Sequence, residues 1–140
     1  DGFNLSIKNI VNSLQNVNIK SVIAISSTRV YGDHQKGPIN EETTVEPSDF
    51  RGRFIKDYEL LLNKSFTNNL NILRFGGLYI PGASIPKFNN KLSRDRASKI
   101  ICFFITNIIN GVFHCTENKI LDPKARSLKG KKLLTLGFND

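Results

Sequence analysis

Two adjacent hydroxyls, Ser26 and Ser27, close the short apolar, β-branched run Ser21-Val-Ile-Ala-Ile-Ser-Ser27. A strand of that composition is expected to be covered on both faces of a parallel sheet, and ligands of open parallel sheets sit beyond the carboxyl ends of their strands. A hydroxyl there can hydrogen-bond a ligand oxygen, or it can merely terminate the strand by bonding its own turn. A second such place is Phe75-Gly-Gly-Leu-Tyr-Ile-Pro-Gly82, where three glycines let backbone approach a ligand or turn tightly. Arg51 and Arg53, near a helix start, could hold a phosphate or carboxylate by paired hydrogen bonds or simply face solvent. Lys56 and Tyr58 are close in sequence, but two positions apart on a helix they point in different directions.

Other reactive residue types lack the spacing their chemistry needs. Cys102 and Cys115 lie thirteen residues apart in apolar stretches, which predicts reduced core thiols. His34 and His114 are isolated in sequence, and neither is spaced with carboxylates or cysteines as a metal centre requires, so no metal is expected. The chain contains neither Gly-x-Gly-x-x-Gly nor Gly-x-x-x-x-Gly-Lys, so the usual phosphate cradles are absent from it.

These residues need a scaffold, and the hydrophobic pattern supplies one. Leu5, Ile7, Ile10, Val11, Leu14 and Val17 recur at helical spacing over 5–17, behind caps at Asn4 or Asp1. The buried strand 21–27 follows, then a long connection from about Ser26 to Arg51, of the length associated with function or disorder. Phe54, Tyr58, Leu61, Leu62 and Phe66 mark a helix over 53–66, and Leu70 to Phe75 a second buried strand. The run Ile100 to Ile109, about half the length that spans a bilayer, predicts a buried helix over 97–109 before a strand at 111–115. A small helix over 127–136 is closed by Gly137. Alternation of helix and buried strand predicts an α/β fold with parallel strands joined by right-handed crossovers.

The 140 residues suit one domain, and 39% hydrophobic with 23% charged residues is a globular composition. The net charge of +8 is uneven: nine basic and eight acidic residues precede Lys87, against eleven and four from Lys87 onward. That excess could attract nucleic acid or an anionic metabolite, but no nucleic-acid-binding motif accompanies it. Asp1-Gly2-Phe3-Asn4 has neither the basic start nor the apolar core of a secretion signal, so a cytoplasmic protein is expected, with no membrane partner.

Three segments together are more specific than any one. Ile25-Ser-Ser-Thr-Arg-Val-Tyr-Gly32 at a strand end, Pro47-Ser48 before a helix, and Leu73-Arg-Phe-Gly-Gly-Leu-Tyr-Ile-Pro-Gly82 resemble, in order and spacing over about residues 5–116, the extended short-chain dehydrogenase/reductases, the NAD-dependent epimerase/dehydratase group. The resemblance implies a Rossmann-like doubly wound parallel sheet of which this chain supplies the carboxyl-terminal portion. Residues 1–82 would form the later half of the NAD(P)-binding domain, and 83–140 the remainder of a small substrate lobe, with a helix and strand returning to the main sheet. It also implies that the glycine-rich amino-terminal cofactor unit lies outside this sequence, so that the chain alone binds NAD or NADP weakly or not at all.

Carried over position by position, the resemblance makes Ser27 the hydroxyl that bonds the substrate oxygen undergoing hydride chemistry. It puts Ser26, Phe75, Gly76, Gly77 and Leu78 beside the cofactor, and makes Val30, Tyr31 and Gly32 a structural turn. The family next needs Tyr-x-x-x-Lys, in which the lysine lowers the tyrosine pKa and the tyrosine transfers the proton. Aligning Gly52 and Glu59 with the helix pattern places Arg51 at the tyrosine position and Ile55 at the lysine position. A guanidinium keeps its proton and an isoleucine has none to give; Tyr58 is the reserve candidate for proton donor. The chain resembles atypical superfamily members that keep the fold without the usual signature.

Three readings of function follow. The first is an atypical NAD(P)-dependent epimerase/dehydratase-like or reductase-like protein acting on a sugar nucleotide or related metabolite, with a degenerate active site. The second is a non-catalytic NAD(P)- or metabolite-binding or sensing protein on the same fold, since fold alone does not decide activity. The third, a nucleic-acid module, rests on charge only and is set aside. A small-molecule partner is expected, and a homodimer stays open.

Overall fold

The computed structural model describes residues 2–34, 39–83 and 90–117. The helix expected over 127–136 lies outside the described residues. In chain order the elements are α1 (Gly2–Leu14), β1 (Val22–Ser27), a 3-10 turn (Thr28–Tyr31), α2 (Phe50–Ser65), β2 (Leu70–Phe75), β3 (Gly77–Tyr79), β4 (Lys91–Ser93), α3 (Arg94–Thr106) and β5 (Gly111–Cys115). The fold is α/β with a parallel sheet, as the alternation of patterns predicts. β2 is central and pairs in parallel with β1, from Val22↔Leu70 to Ser27↔Phe75, and with β5, from Asn71↔Gly111 to Phe75↔Cys115.

All six residues of the central strand are buried, the polar Asn71 and Arg74 among them. Alternate side chains serve opposite faces of the sheet. Leu70 and Ile72 join Val11, Ala24, Leu62 and Phe66 under α1 and α2, while Leu73 and Phe75 join Ile100, Phe104 and Phe113 under α3. Each fully buried large apolar side chain of this kind, Phe104 for example, contributes about 1.5–3 kcal/mol over leaving it in water.

Helix ends are set by caps rather than by the apolar pattern alone. Asp49 accepts from the Gly52 amide at 2.7 Å, which starts α2 at Phe50, earlier than its apolar residues indicate. Ser93 accepts from the Arg96 amide at 3.3 Å and starts α3 at Arg94, and Asn107 leaves the helix in an extended conformation. The expectation that the run Ile100 to Ile109 is a buried helix is therefore corrected. Only Ile100 and Phe104 of that run are buried, Ile105 and Ile108 are exposed, and the last residues lie beyond the helix. Cys102 is exposed on α3, so of the two expected core thiols only Cys115 is one; both are free.

The glycine-rich segment after β2 is not merely a loop. Gly77–Tyr79 pairs in parallel with Lys91–Ser93, from Gly77↔Lys91 to Tyr79↔Ser93. Three-residue strands are too short to show a period, which is why they escape sequence reading. The Glu117 carboxylate fastens this small sheet to the end of β5, accepting from the Ser93 amide at 2.6 Å and from the Tyr79 hydroxyl at 2.7 Å. On α1 only Val11 is buried, and Phe3, Leu5 and Ile10 face outward.

Two glycines fix the entry to α2. Gly32 ends the 3-10 turn at φ 72° and ψ −177°, a region that is essentially glycine's alone, with the Glu46 carbonyl oxygen 2.4 Å from where a Cβ would stand. Gly52 is buried against the Arg29 carbonyl, 3.0 Å from its own missing Cβ, with the Pro47 side chain at 2.7 Å. Gly32→Ala is expected to cost at least about 1–3 kcal/mol from backbone strain. Gly52→Ala loses less, because about 1 kcal/mol of helix propensity offsets about 1–3 kcal/mol of overpacking. Urea unfolding of both variants tests the order, and a Gly32→Ala protein as stable as the parent would contradict it.

Candidate functional site

The carboxyl end of β1 and the start of α2 are bolted together. Arg29, in the turn that leaves β1, donates through Nε to Asp49 Oδ2 at 2.7 Å, and its Nη2 reaches the same oxygen. Asp49 also receives the Gly52 amide. These hydrogen bonds, from Arg29 first and Gly52 next, hold its carboxyl down at about 2, while Arg29 is raised by the same pairing. Ser48 adds a bond to Asp33 at 3.1 Å. The first turn of α2, and with it Arg51, is thus set beside the strand end that carries Ser27.

Below this junction lies a buried polar network. The Glu59 carboxylate on α2 accepts Ser26 Oγ of β1 and Arg74 Nε of β2, the latter at 3.0 Å, on Oε1, and Arg74 Nη2 at 2.6 Å on Oε2. Arg74 Nη1 donates to the Tyr31 hydroxyl, and its guanidinium lies 5.0 Å from that ring's centre. The Tyr31 oxygen in turn meets His114 Nε2 of β5 at 2.6 Å and the Asn40 carbonyl at 3.1 Å. Burial opposes the Arg74 charge, but the Glu59 carboxylate outweighs it and the arginine is raised. Burial pushes the Tyr31 hydroxyl up to about 12 despite the arginine, and it depresses His114, with Arg74 adding to the effect against Glu41 and Glu59.

The residues singled out by sequence fall into three groups. Ser27 is half-buried; its Oγ caps the turn by accepting the Arg29 amide at 3.2 Å and donates to none of the described residues, so its proton is available to a ligand. Arg51 is exposed, 5.7 Å from the centre of the exposed Phe50 ring, and Ile55 is half-buried one turn on. Arg51 and Ile55 stand on the first turns of α2, which Asp49 ties to the turn after β1. Ser26 and Phe75 are buried, the first bonded to Glu59 and the second in the core under α3. The Gly76 amide donates to the Cys115 carbonyl at 3.0 Å, the Gly77 amide donates to Asn90 at 2.7 Å, and Leu78 is half-exposed. Tyr58 packs against α1, its ring 6.1 Å from Phe3, and burial raises its hydroxyl.

Sequence reasoning missed the network itself. The histidines, isolated in sequence, are not isolated in space: His34 Nε2 lies 3.2 Å from Glu46, and the His114 amide donates to Glu41 at 2.9 Å. His34 meets a carboxylate of its own connection and His114 one from seventy-three residues away, pairings that linear spacing does not show. Among the described residues no group of His, Cys, Asp or Glu is arranged to hold a metal ion, and no helix is long and apolar enough to cross a membrane. The available signal was Arg74 itself, a charge inside an otherwise apolar buried strand, which must find a partner or be too costly to keep.

Glu59→Leu or Arg74→Met alone is expected to cost about 3–5 kcal/mol, because each strands the other's charge, whereas Glu59→Leu with Arg74→Met should cost much less than their sum. Denaturant unfolding of the cycle measures this, and additive losses would contradict it. His114 adds a pH dependence. Unfolded, it takes its proton near 6.5; folded, it does so at lower pH, so the unfolded chain binds more protons in between. Its contribution to stability is complete above that value and is lost as pH falls below it. His114→Phe should flatten this part of the pH–stability profile.

No protein-family model matches the sequence, and no curated protein matches it. Solved structures do. A protein of Methylobacillus flagellatus assigned as an NAD-dependent epimerase/dehydratase superposes with a TM-score of 0.66 at 26% identity, over 81% of this chain and 47% of that one. UDP-glucuronic acid 4-epimerase from Bacillus cereus, solved with NAD, gives 0.68 at 18% identity over 89% and 52%. dTDP-4-dehydrorhamnose reductase from Yersinia enterocolitica gives 0.69 at 18% over 80% and 47%. The chain spans about half the length of these structures, and it is structurally similar, at low identity and over that part, to the NAD-dependent epimerase/dehydratase group.

Proposed function

We propose that this chain is the later part of an NAD(P)-linked epimerase/dehydratase-like or reductase-like domain that holds a sugar nucleotide or related metabolite at the junction of β1 and α2, with a degenerate active site. The observation that carries the reading is the junction itself. Ser27 offers a free hydroxyl proton at the carboxyl end of a parallel strand, where ligands of such sheets bind. Arg51 and Ile55 occupy consecutive turns of the helix pinned beside it. Ser27 can donate to a carbonyl or hydroxyl oxygen, and Arg51 can pair with an anionic group. Neither Arg51 nor Ile55 can relay a proton as a tyrosine–lysine pair does.

The residues present do not fit a whole dinucleotide. The Ser26 hydroxyl is committed to Glu59, and the Gly76 and Gly77 amides are committed to backbone carbonyls. A Cβ on Gly76 would lie 2.4 Å from the Asn90 carbonyl oxygen, so the chain itself fills the space that glycine leaves. Leu78 is left to contact an apolar ring. These 140 residues alone should therefore bind NAD or NADP weakly or not at all. Calorimetric titration tests this; micromolar affinity would require about 8 kcal/mol from these loops and would overturn it.

Activity of the whole protein is expected to be low, because losing a positioned proton donor typically costs about 10²–10⁴-fold in rate. The test is turnover of sugar nucleotides and simple carbonyl compounds by the native protein, by Ser27→Ala and by Arg51→Tyr with Ile55→Lys. Gain of turnover in the double variant supports the reading. Strong native turnover abolished by Ser27→Ala overturns the degenerate site and makes Tyr58 the donor to examine. A non-catalytic binding protein on the same fold is favoured by Arg51, whose place would then serve anion binding alone.

A further inference from the structure

The Tyr31 hydroxyl has three neighbours and a fixed valence. Arg74 Nη1 can only donate to it, and the Asn40 carbonyl oxygen can only accept from it. Tyr31 has one proton to give. If that proton goes to Asn40, His114 Nε2, at 2.6 Å, must carry a hydrogen and donate to the tyrosine oxygen, and all three bonds are then satisfied at once. If it goes to His114, the Asn40 carbonyl loses its side-chain partner. The arrangement that satisfies all three bonds of the Tyr31 oxygen has the His114 hydrogen on Nε2, and burial, which lowers the pKa of this imidazole, favours its neutral form.

Asn40 belongs to a turn that closes on itself. The Asn40 amide donates to Thr43 Oγ1 at 2.9 Å, the Glu42 amide to Asn40 Oδ1 at 3.0 Å, and the Thr43 amide to the Asn40 carbonyl at 3.1 Å. This turn carries a second tether. β5 is an outer strand of the sheet, and Glu41 Oε1 accepts its His114 amide at 2.9 Å. One residue of β5 thus holds the turn by both its backbone and, through Tyr31, its ring. Farther along, Lys56 of α2 donates to the Val45 carbonyl at 3.2 Å, where the segment approaches the helix that carries Arg51.

We propose that residues 39–46 are a strap latched onto the outer edge of β5 by Glu41 and by the Asn40–Tyr31–His114 relay, with His114 as the Nε2–H tautomer, and that the strap opens as a unit while the sheet stays closed. The groups facing His114 are Glu41 from the strap, Tyr31 from the turn after β1, Arg74 from β2 and, through Arg74, Glu59 from α2. Glu41 is the only strap side chain among them. Removing it takes away one of the strap's two tethers to β5, and so loosens the strap there, without touching the Glu59–Arg74 pair below.

The experiment is amide hydrogen exchange and nitrogen-15 NMR on the 140-residue chain, its Glu41→Ala variant and, because Tyr31→Phe also strips a partner from Arg74, that variant as a second arm. The parent spectrum should show His114 protonated on Nε2. Glu41→Ala should speed exchange of the 40–46 and His114 amides at least tenfold, with the 71–75 amides unchanged. Tyr31→Phe should speed the 40–46 amides and move the His114 ring resonances. A His114 protonated on Nδ1 alone, strap amides that exchange no faster in Glu41→Ala, or equal acceleration through β1 and β2 would each overturn the proposal. These readouts need no ligand, so they stand apart from any failure of the functional reading.

Discussion

The pairing of Glu59 with Arg74 is the contact on which the rest of the architecture depends. Both side chains are almost wholly buried, and two hydrogen bonds join them directly. The pair also bonds Ser26 and Tyr31, so one ion pair touches α2, β1, β2 and the turn that leaves β1. A buried pair is weak evidence of net stability, because desolvation consumes most of the Coulomb attraction. Its consequence here is geometrical: α2 can pack on the sheet in only one register, the one that presents Glu59 to Arg74. That register sets Gly52 against the Arg29 carbonyl and Asp49 within reach of Arg29.

How much of this was legible depends on the kind of signal. β2 and β5 were readable to the residue, because each is a short, largely apolar run between helical patterns. α2 was readable in its apolar face but not at its start, since the Asp49 cap outweighs the weaker pattern of its first turn. β3 and β4 were illegible because three residues carry no period. Ser27 and Arg51 were found by resemblance to neighbouring motifs. Glu59 served only to align the helix, and its partners on β1 and β2 come from thirty-three and fifteen residues away. Such pairings are properties of the folded sheet and have no local signature.

The apolar pattern overpredicted burial in two places, and both have the same physical source. Val11 of α1 reaches the core, but Phe3, Leu5 and Ile10 belong to a broader stripe that the described residues do not cover, and Ile25 of β1 is likewise exposed at the sheet's outer strand. β1 has no charge or proline from Val22 to Ser27, the devices that usually protect an outer strand from pairing with another chain. Ile105 of α3 and Ile108 just beyond it stand out in the same way. A hydrophobic period shows which face a helix prefers to bury; the packing neighbours decide how much of that face is buried.

Scaffold and chemistry occupy different residues of the same helix, which explains how the fold persists where the usual proton relay is absent. Gly52 and Glu59, two turns apart, are the α2 positions that the turn after β1 and the buried network require. Arg51, just before Gly52, and Ile55, between the two, contribute no bond to that network, and Arg51 instead lies over the neighbouring Phe50 ring. Ser26 and Ser27 divide in the same way: the first bonds Glu59, and the second caps a turn and donates to none of the described residues. Substitution at 51 and 55 leaves every buried hydrogen bond in place. The buried network therefore does not dictate the side chains at 51 and 55, and a chain can keep this architecture while those two positions vary.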